Sequence, residues 1–247
     1  MNNFTNDYLL DKKIKILQPV DGYRASSDAV LLSSVIANVK SGDTILDVGS
    51  GTGGISLCLA HRFKENQIVG LEIQPELAEL SNLSAKENGF DNLTYFNCDI
   101  KNKHLPIKLC SFNHVISNPP YSLNDMPSPN KSKALAHNHS GQDLTLWIDF
   151  CLKTLKPFGF IYLINRAEAV TETLIALSKK AGNINIIPIY SKENQVAKRV
   201  IITAQKDSKT PAKIFSPFYT HNPDGTYTDE AQKILREGCS FYEVFER

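Results

Sequence analysis

The sequence predicts an α/β fold in which a mostly parallel, seven-stranded sheet carries helices on both faces and an antiparallel strand at one edge. Three observations predict it. From Thr44 onward, short apolar runs rich in β-branched residues alternate with segments of helical period. A glycine-rich turn follows the first of these runs directly and opens a helix. Acidic residues stand at or beyond the ends of the first three runs, where ligands of open α/β sheets bind. The size agrees, since 247 residues with 42% hydrophobic and 21% charged side chains suit one enlarged domain. They exclude a disordered chain, a collagen, a charge-rich coiled coil and a disulfide miniprotein.

Taken in order, the chain begins with an extended stretch from Ile14 to Arg24 and a helix from Ser27 to Val39, with Ser27 or Asp28 available as its cap. The strands are then Thr44 to Val48, Ile68 to Glu72, Leu93 to Asn97, His114 to Ser117 and Phe158 to Ile164. Between them, Pro75 to Asn88 opens on a proline and closes at Gly89, as helices do. Leu144 to Lys156 is expected to stop before Pro157, and Ala167 to Ala181 at Gly182. Ile184 to Tyr190 and Arg199 to Ala204, joined by a polar turn through Ser191 to Lys198, form an antiparallel pair at one edge, where Pro188 fits best. Ser122 to Gly141 and Asp207 to Gly225 are rich in Pro, Ser, Asn and Lys and lack a strong period; such loops are usually functional or disordered. Residues 1–40 are therefore expected to be an N-terminal extension whose helix packs on the core, and residues 41–247 the main domain.

Lys and Arg total 27 against 26 acids, a formal net charge of +1, so a nucleic-acid partner must be held by a local basic face. The 5 cysteines, Cys58, Cys98, Cys110, Cys151 and Cys239, form no C-x-x-C pair and read as reduced, mostly buried thiols. No apolar leader and no window of about 18 apolar residues is present, so a soluble, cytoplasmic protein without a membrane partner is expected. His137 and His139 lie in a polar loop without clustered acids or cysteines, and no metal is expected. Trp147, on a helix with Ile148, Phe150 and Leu152, reads as a core or sheet-covering residue.

Directly after the first strand comes Asp47-Val48-Gly49-Ser50-Gly51-Thr52-Gly53-Gly54. Glycines permit positive φ and close backbone approach to a ligand, and the helix that follows offers unpaired N–H groups. Glycines also serve plain tight turns. Glu72 ends the second strand about twenty residues on, where a carboxylate accepts both hydroxyls of a ribose. That geometry serves a nicotinamide dinucleotide and S-adenosylmethionine alike. The acid on the glycine strand and Asp99 after the third strand tilt the reading toward the second. Asp47 is placed to face a cationic amino group and Asp99 an exocyclic adenine amine; the alternative is that both cap helices or turns.

The fourth strand runs into Asn118-Pro119-Pro120-Tyr121. Each proline fixes its own φ and holds the preceding residue extended, so the Asn118 side-chain oxygen and the Pro119 carbonyl emerge from a stiff bend. The amino nitrogen of adenine is a poor nucleophile because its lone pair is delocalised into the ring. Two acceptors taking its N–H groups draw it toward tetrahedral geometry, and Tyr121 is suited to stack on the flipped base. The alternative is a rigid proline turn that merely ends a strand.

The pattern D-x-G-x-G-x-G, then E, then D, then NPPY resembles the class I S-adenosylmethionine-dependent methyltransferases that modify amino nitrogens, with their Rossmann-like fold. Family members with NPPY methylate adenine N6 in DNA or RNA, guanine amines in RNA, or a protein glutamine. Gln18-Pro19-Val20-Asp21-Gly22-Tyr23-Arg24-Ala25-Ser26-Ser27-Asp28-Ala29-Val30-Leu31-Leu32 looks like the signature of bacterial enzymes that make N6-methyladenosine at position 37 of a valine tRNA. Arg199 to Ile202 and Tyr227 to Glu230 are similar to the end of that family. Ala25 and Val30 depart from its usual pattern.

The resemblance implies S-adenosyl-L-methionine as methyl donor, held by Asp47, Gly49, Gly51, Gly53, Glu72, Ile73, Asp99, Ile100 and Asn118, and no metal. Asn118, Pro119, Pro120 and Tyr121 would grip the target adenine. Tyr23 and Arg24 would cover the active site, or else pack an N-terminal arm on the sheet. Lys12, Lys13, Lys15, Arg24, Lys131, Lys133, Lys192, Lys198 and Arg199 are candidate contacts to tRNA, although scattered lysines usually mark a solvated face. A monomer is expected. The rivals are a methyltransferase of DNA adenine, rRNA or a protein glutamine, and a non-catalytic cofactor-binding RNA-binding module.

Overall fold

A computed structural model describes residues 4–22, 24–120 and 141–245, with only the backbone of 141–143. β1 (Phe4–Leu9) and β2 (Ile14–Pro19) form an antiparallel hairpin, followed by α1 (Ser27–Ser34). The alternating region then runs β3 (Thr44–Val48), α2 (Gly54–Arg62), β4 (Gln67–Glu72), α3 (Pro75–Glu87), β5 (Leu93–Asn97) and β6 (Phe112–Ser117). It continues with α4 (Gly141–Thr154), β7 (Leu155–Arg166), α5 (Val170–Leu177), β8 (Ala181–Tyr190) and β9 (Arg199–Lys206). Short β10 (Lys213–Ile214), β11 (Phe218–Tyr219), α6 (Asp229–Gln232) and α7 (Phe241–Phe245) close the chain.

Among the described residues the main sheet has nine strands in the order β10-β8-β9-β7-β6-β3-β4-β5, with β11 also beside β8. All pairings are parallel except those of β9 with β7 and β8. The chain leaves β3 toward β4 and β5, then returns to β6 on the other side of β3. The carboxyl ends of β3 and β6 therefore flank the topological switch point, where such sheets open a ligand crevice.

Alternate side chains of the strands feed two cores. Ile45, Ile116, Tyr162 and Ile164 join α1 and α2 on one face. Leu46, Val48, Val115, Ile161 and Leu163 join α4 and α5 on the other. This period of two is what a sheet covered on both faces requires. The hairpin docks on α3, where Leu17 N–H donates to Ser84 Oγ (2.9 Å) and Asn88 bonds both N–H and C=O of Lys15. Cys58, Cys98 and Cys151 are buried, Cys239 is half-buried and Cys110 is exposed.

Several expectations need correction. The sheet has nine strands, not seven, because β10 and β11 add to β8 within the tail expected to be irregular. The antiparallel strand β9 lies inside the sheet, between β7 and β8, and beyond β8 the short strands β10 and β11 form the edge. Pro188 falls between the β10 pairings at Asn185 and Ile186 and the β11 pairings at Ile189 and Tyr190, so its missing N–H costs no ladder bond there. α1 ends at Ser34 rather than Val39, because the Arg62 guanidinium takes the carbonyls of Ser33, Ser34 and Ile36. Its cap is Ser26, which accepts from Asp28 N–H.

Pro157 does not end the fourth long helix. α4 stops at Thr154, and β7 passes through Pro157 by a register irregularity between Phe112 and His114, with Phe158 at φ 60°. α5 is shorter than expected, ending at Leu177, and Gly182 lies within β8. A Cβ at Gly182 would sit 2.5 Å from the Ser208 carbonyl oxygen, so that glycine permits a close backbone crossing.

Candidate active site

The glycine turn leaves β3 with Gly49, Gly51 and Gly53 at φ 73°, 57° and 83°, values that side chains disfavour. Gly49 and Ser50 N–H both donate to Leu71 O (2.8 and 2.9 Å), tying the turn to the end of β4. The next residue on β4, Glu72, is 5% exposed. Its Oε2 accepts from Gly51 N–H and its Oε1 from Gln74 N–H, each at 2.8 Å. Burial raises the Glu72 carboxyl above its ordinary range, and these backbone donors oppose the rise.

Beneath the turn, Asp47 is fully buried and its Oδ2 accepts from Ser56 Oγ at 2.8 Å. Ser56 Oγ also lies 2.9 Å from Tyr95 Oη. The Tyr95 ring fills the space that side chains at Gly53 and Gly70 would need. Burial pushes the Asp47 carboxyl up to about 7, partly offset by the Ser56 bonds, with the Glu72 charge adding to the rise. Asp47 Oδ1, Ser50 Oγ and Thr52 Oγ1 are buried without a hydrogen-bond partner among the described residues. Three orphaned polar atoms around one turn are costly in an apolar interior and fit a site that a polar ligand completes.

On the adjacent strand, Ile116 pairs with Asp47. Ser117, 0% exposed, donates to Val48 O at 2.6 Å and accepts from the indole N–H of Trp147 at 3.0 Å. Asn118 follows at once, half-buried, with Pro119 buried behind it and Pro120 half-buried. The β3–β6 pairing thus sets the Asn-Pro-Pro corner beside the glycine turn. Trp147 packs against the second core as expected, and its ring also reaches the glycine turn, which helical spacing does not foretell: an added Cβ at Gly49 would stand 2.8 Å from Cζ2. The available signal was its indole N–H, which needs a partner when buried.

The remaining candidates separate. Ile73, 51% exposed, follows Glu72 and offers an apolar surface at the crevice rim. Asp99 and Ile100 follow β5, half-buried; Asp99 Oδ1 accepts from Lys101 N–H at 2.9 Å, a turn-capping bond. Arg24 is engaged by the hairpin, donating to Asp7 at 2.6 Å, Thr5 at 3.1 Å and Pro19 O at 3.0 Å. Its neighbour Ala25 packs with Ala29 on Gly54 at the start of α2. Arg199 donates to Asp28 at 2.8 Å, fastening β9 to the first turn of α1, and Lys198 beside it is exposed. Tyr23, Tyr121, Lys131, Lys133, His137 and His139 lie outside the described residues. No helix among the described residues is long and apolar enough to cross a membrane.

Comparison with known proteins agrees with this arrangement. The family described as a methyltransferase domain matches residues 39–238. A protein of Pedobacter heparinus is 28% identical over 229 residues, covering 92% of this chain and 95% of its own. One of Actinobacillus pleuropneumoniae serotype 7 is 31% identical over 217 residues, covering 86% and 89%. Both are named tRNA1(Val) (adenine(37)-N6)-methyltransferase. Among solved structures, a predicted O-methyltransferase from Agrobacterium tumefaciens superposes with TM-score 0.73 at 22% identity, covering 86% of this chain and 97% of that one. The M. jannaschii TYW2 structure in complex with AdoMet gives 0.58 at 14% identity, covering 83% and 86%.

The fold, with a glycine turn at the switch point of a sheet of this order, is that of the class I methyltransferases. The chain belongs to the methyltransferase domain family and, within it, to the tRNA1(Val) (adenine(37)-N6)-methyltransferases.

Proposed function

We propose that this enzyme transfers a methyl group from S-adenosyl-L-methionine to N6 of adenine 37 in tRNA1(Val). The observation that carries the reading is the placement of Asn118 and Pro119 at the end of β6, beside the glycine turn at the end of β3. Relatives that the chain covers almost end to end carry that activity in their names. When bound, the cofactor supplies a methyl group on a positively charged sulfur.

The chain's own residues do the rest. Glu72 would accept from the ribose hydroxyls, Ile73 and Ile100 would offer apolar surface to the adenine, and Asp99 would accept from its amine. Gly49, Gly51 and Gly53 keep the turn free of side chains, and Asp47 would answer the cationic end. Asn118 and Pro119 would accept the two N–H groups of the target amine and orient its lone pair, Pro120 stiffens the corner, and the resemblance gives Tyr121 the role of stacking on the base. RNA contact is assigned to Tyr23, Arg24, Lys131, Lys133, Lys198 and Arg199 by resemblance to the family, with Arg24 and Arg199 exchanging their Asp7 and Asp28 partners for phosphate. An anticodon-loop base costs less to flip than one in a duplex, which suits a chain of net charge +1.

In this reading residues 1–40 are an extension that fastens over the glycine helix and 41–247 the catalytic domain, working as a cytoplasmic monomer without a metal. Labelled S-adenosylmethionine, incubated separately with tRNA, DNA and protein and followed by nucleoside and amino-acid analysis, tests it. Label recovered as N6-methyladenosine in tRNA is the expected result. Label confined to DNA or to glutamine, or no transfer at all, would overturn it.

A further inference from the structure

We propose that Trp147 is a positioning residue that sets the spacing between the glycine turn and the Asn118 corner. This rests on the reading that those two features hold the cofactor and the target amine. One side chain touches both: the indole N–H donates to Ser117 Oγ at 3.0 Å, and the six-membered ring lies against Gly49. A Cβ at residue 49 would stand 2.8 and 3.0 Å from its Cζ2 and Cη2 atoms, so the ring occupies the place a side chain would take. Ser117 passes the link on, donating to Val48 O at 2.6 Å. The chain from indole to hydroxyl to carbonyl therefore closes a loop across the ends of β3 and β6, one residue before the glycine turn and one before Asn118.

The platform beneath it is firm. Ile148 and Cys151 of α4 are 0% exposed and Leu152 is 4% exposed, all within the core that also holds Val48 and Val115. A space-filling role would need only an apolar side chain of similar size, and would leave the Ser117 hydroxyl indifferent to it. The N–H donor aimed at a buried oxygen makes the contact directional. Because displacements of about 1 Å at reacting groups cost up to roughly 10²-fold in rate, a brace at this place acts on turnover more than on ligand affinity.

Trp147→Phe keeps an aromatic side chain, shorter than the indole, and removes the donor; Ser117→Ala removes the other end without touching the ring. Each is expected to lower kcat about tenfold or more, while S-adenosylhomocysteine affinity by calorimetry stays within about threefold. Melting temperatures reveal any general loss of fold. If the two residues act through one link, the double variant is about as slow as the slower single one, whereas multiplied losses or unchanged kcat would overturn the proposal. A second readout needs no variant: Trp147 is the 1 tryptophan of the chain, so its emission is expected to change as S-adenosylhomocysteine saturates the wild type. Calorimetric binding with unaltered emission would overturn the placement of the ring. Absence of any binding would overturn the cofactor reading itself, and the brace with it.

Discussion

Gly51 and Glu72 meet across the crevice, the Gly51 N–H donating to Glu72 Oε2 at 2.8 Å. The carboxylate proposed to hold a ribose is thus also the clasp of the glycine turn. Its other oxygen takes Gln74 N–H at the start of α3. Glu72→Ala removes both acceptors. Hydrogen bonds to charged groups are worth about 1.5–3 kcal/mol, so S-adenosylhomocysteine affinity is expected to fall about tenfold to a hundredfold. Glu72→Gln, which keeps an acceptor oxygen, is expected to lose less. Calorimetric titration measures both, and undiminished affinity in the alanine variant would contradict the role.

Tyr95 is the wall against which the turn is cast. A methyl group at Gly70 would stand 2.7 Å from Tyr95 Cε1 and 3.0 Å from Ser50 Oγ. Gly70→Ala is therefore expected to destabilise the protein by about 1–3 kcal/mol, as overpacking of a filled core does. The urea midpoint reports it, and a midpoint equal to that of the wild type would show that the ring moves aside freely.

Asp47 makes stability depend on pH. Burial raises its pKa from 3.8 to about 7. Between those values the unfolded chain releases a proton that the folded chain keeps, so the folded state loses stability as pH rises through the window. Below 3.8 the contribution is fully present, and above about 7 its loss is complete. Asp47→Asn, which does not titrate, is expected to flatten this part of the profile and to gain stability relative to the wild type at pH 8. Urea midpoints at pH 4, 6 and 8 without ligand test the sign. Parallel profiles for the two proteins would place the carboxyl elsewhere on the scale.

The order of the site is legible in the sequence because its signals are local. Thr44 to Val48 is a run rich in β-branched residues, Gly49, Gly51 and Gly53 turn the chain at positive φ, Glu72 ends β4 and Asn118 follows β6 directly. What escapes the sequence depends on distant partners. α1 ends where Arg62, 28 residues from Ser34, captures its carbonyls. β7 crosses Pro157 because its pairing with β6 shifts register there. The β1 strand, alternating half-buried and exposed residues, carries too few apolar side chains to stand out before its partner β2 is known. Trp147 joins the site through Ser117, 30 residues away, so helical spacing alone places it in the core.

Catalysis is the claim on which the rest depends, and Asn118→Ala tests it most directly. Turnover on tRNA and S-adenosylhomocysteine affinity are measured on the same preparation. Loss of one preorganised acceptor at the reacting nitrogen is expected to lower kcat by roughly 10²- to 10³-fold while cofactor affinity changes by less than about threefold. Turnover within twofold of the wild type would contradict the account.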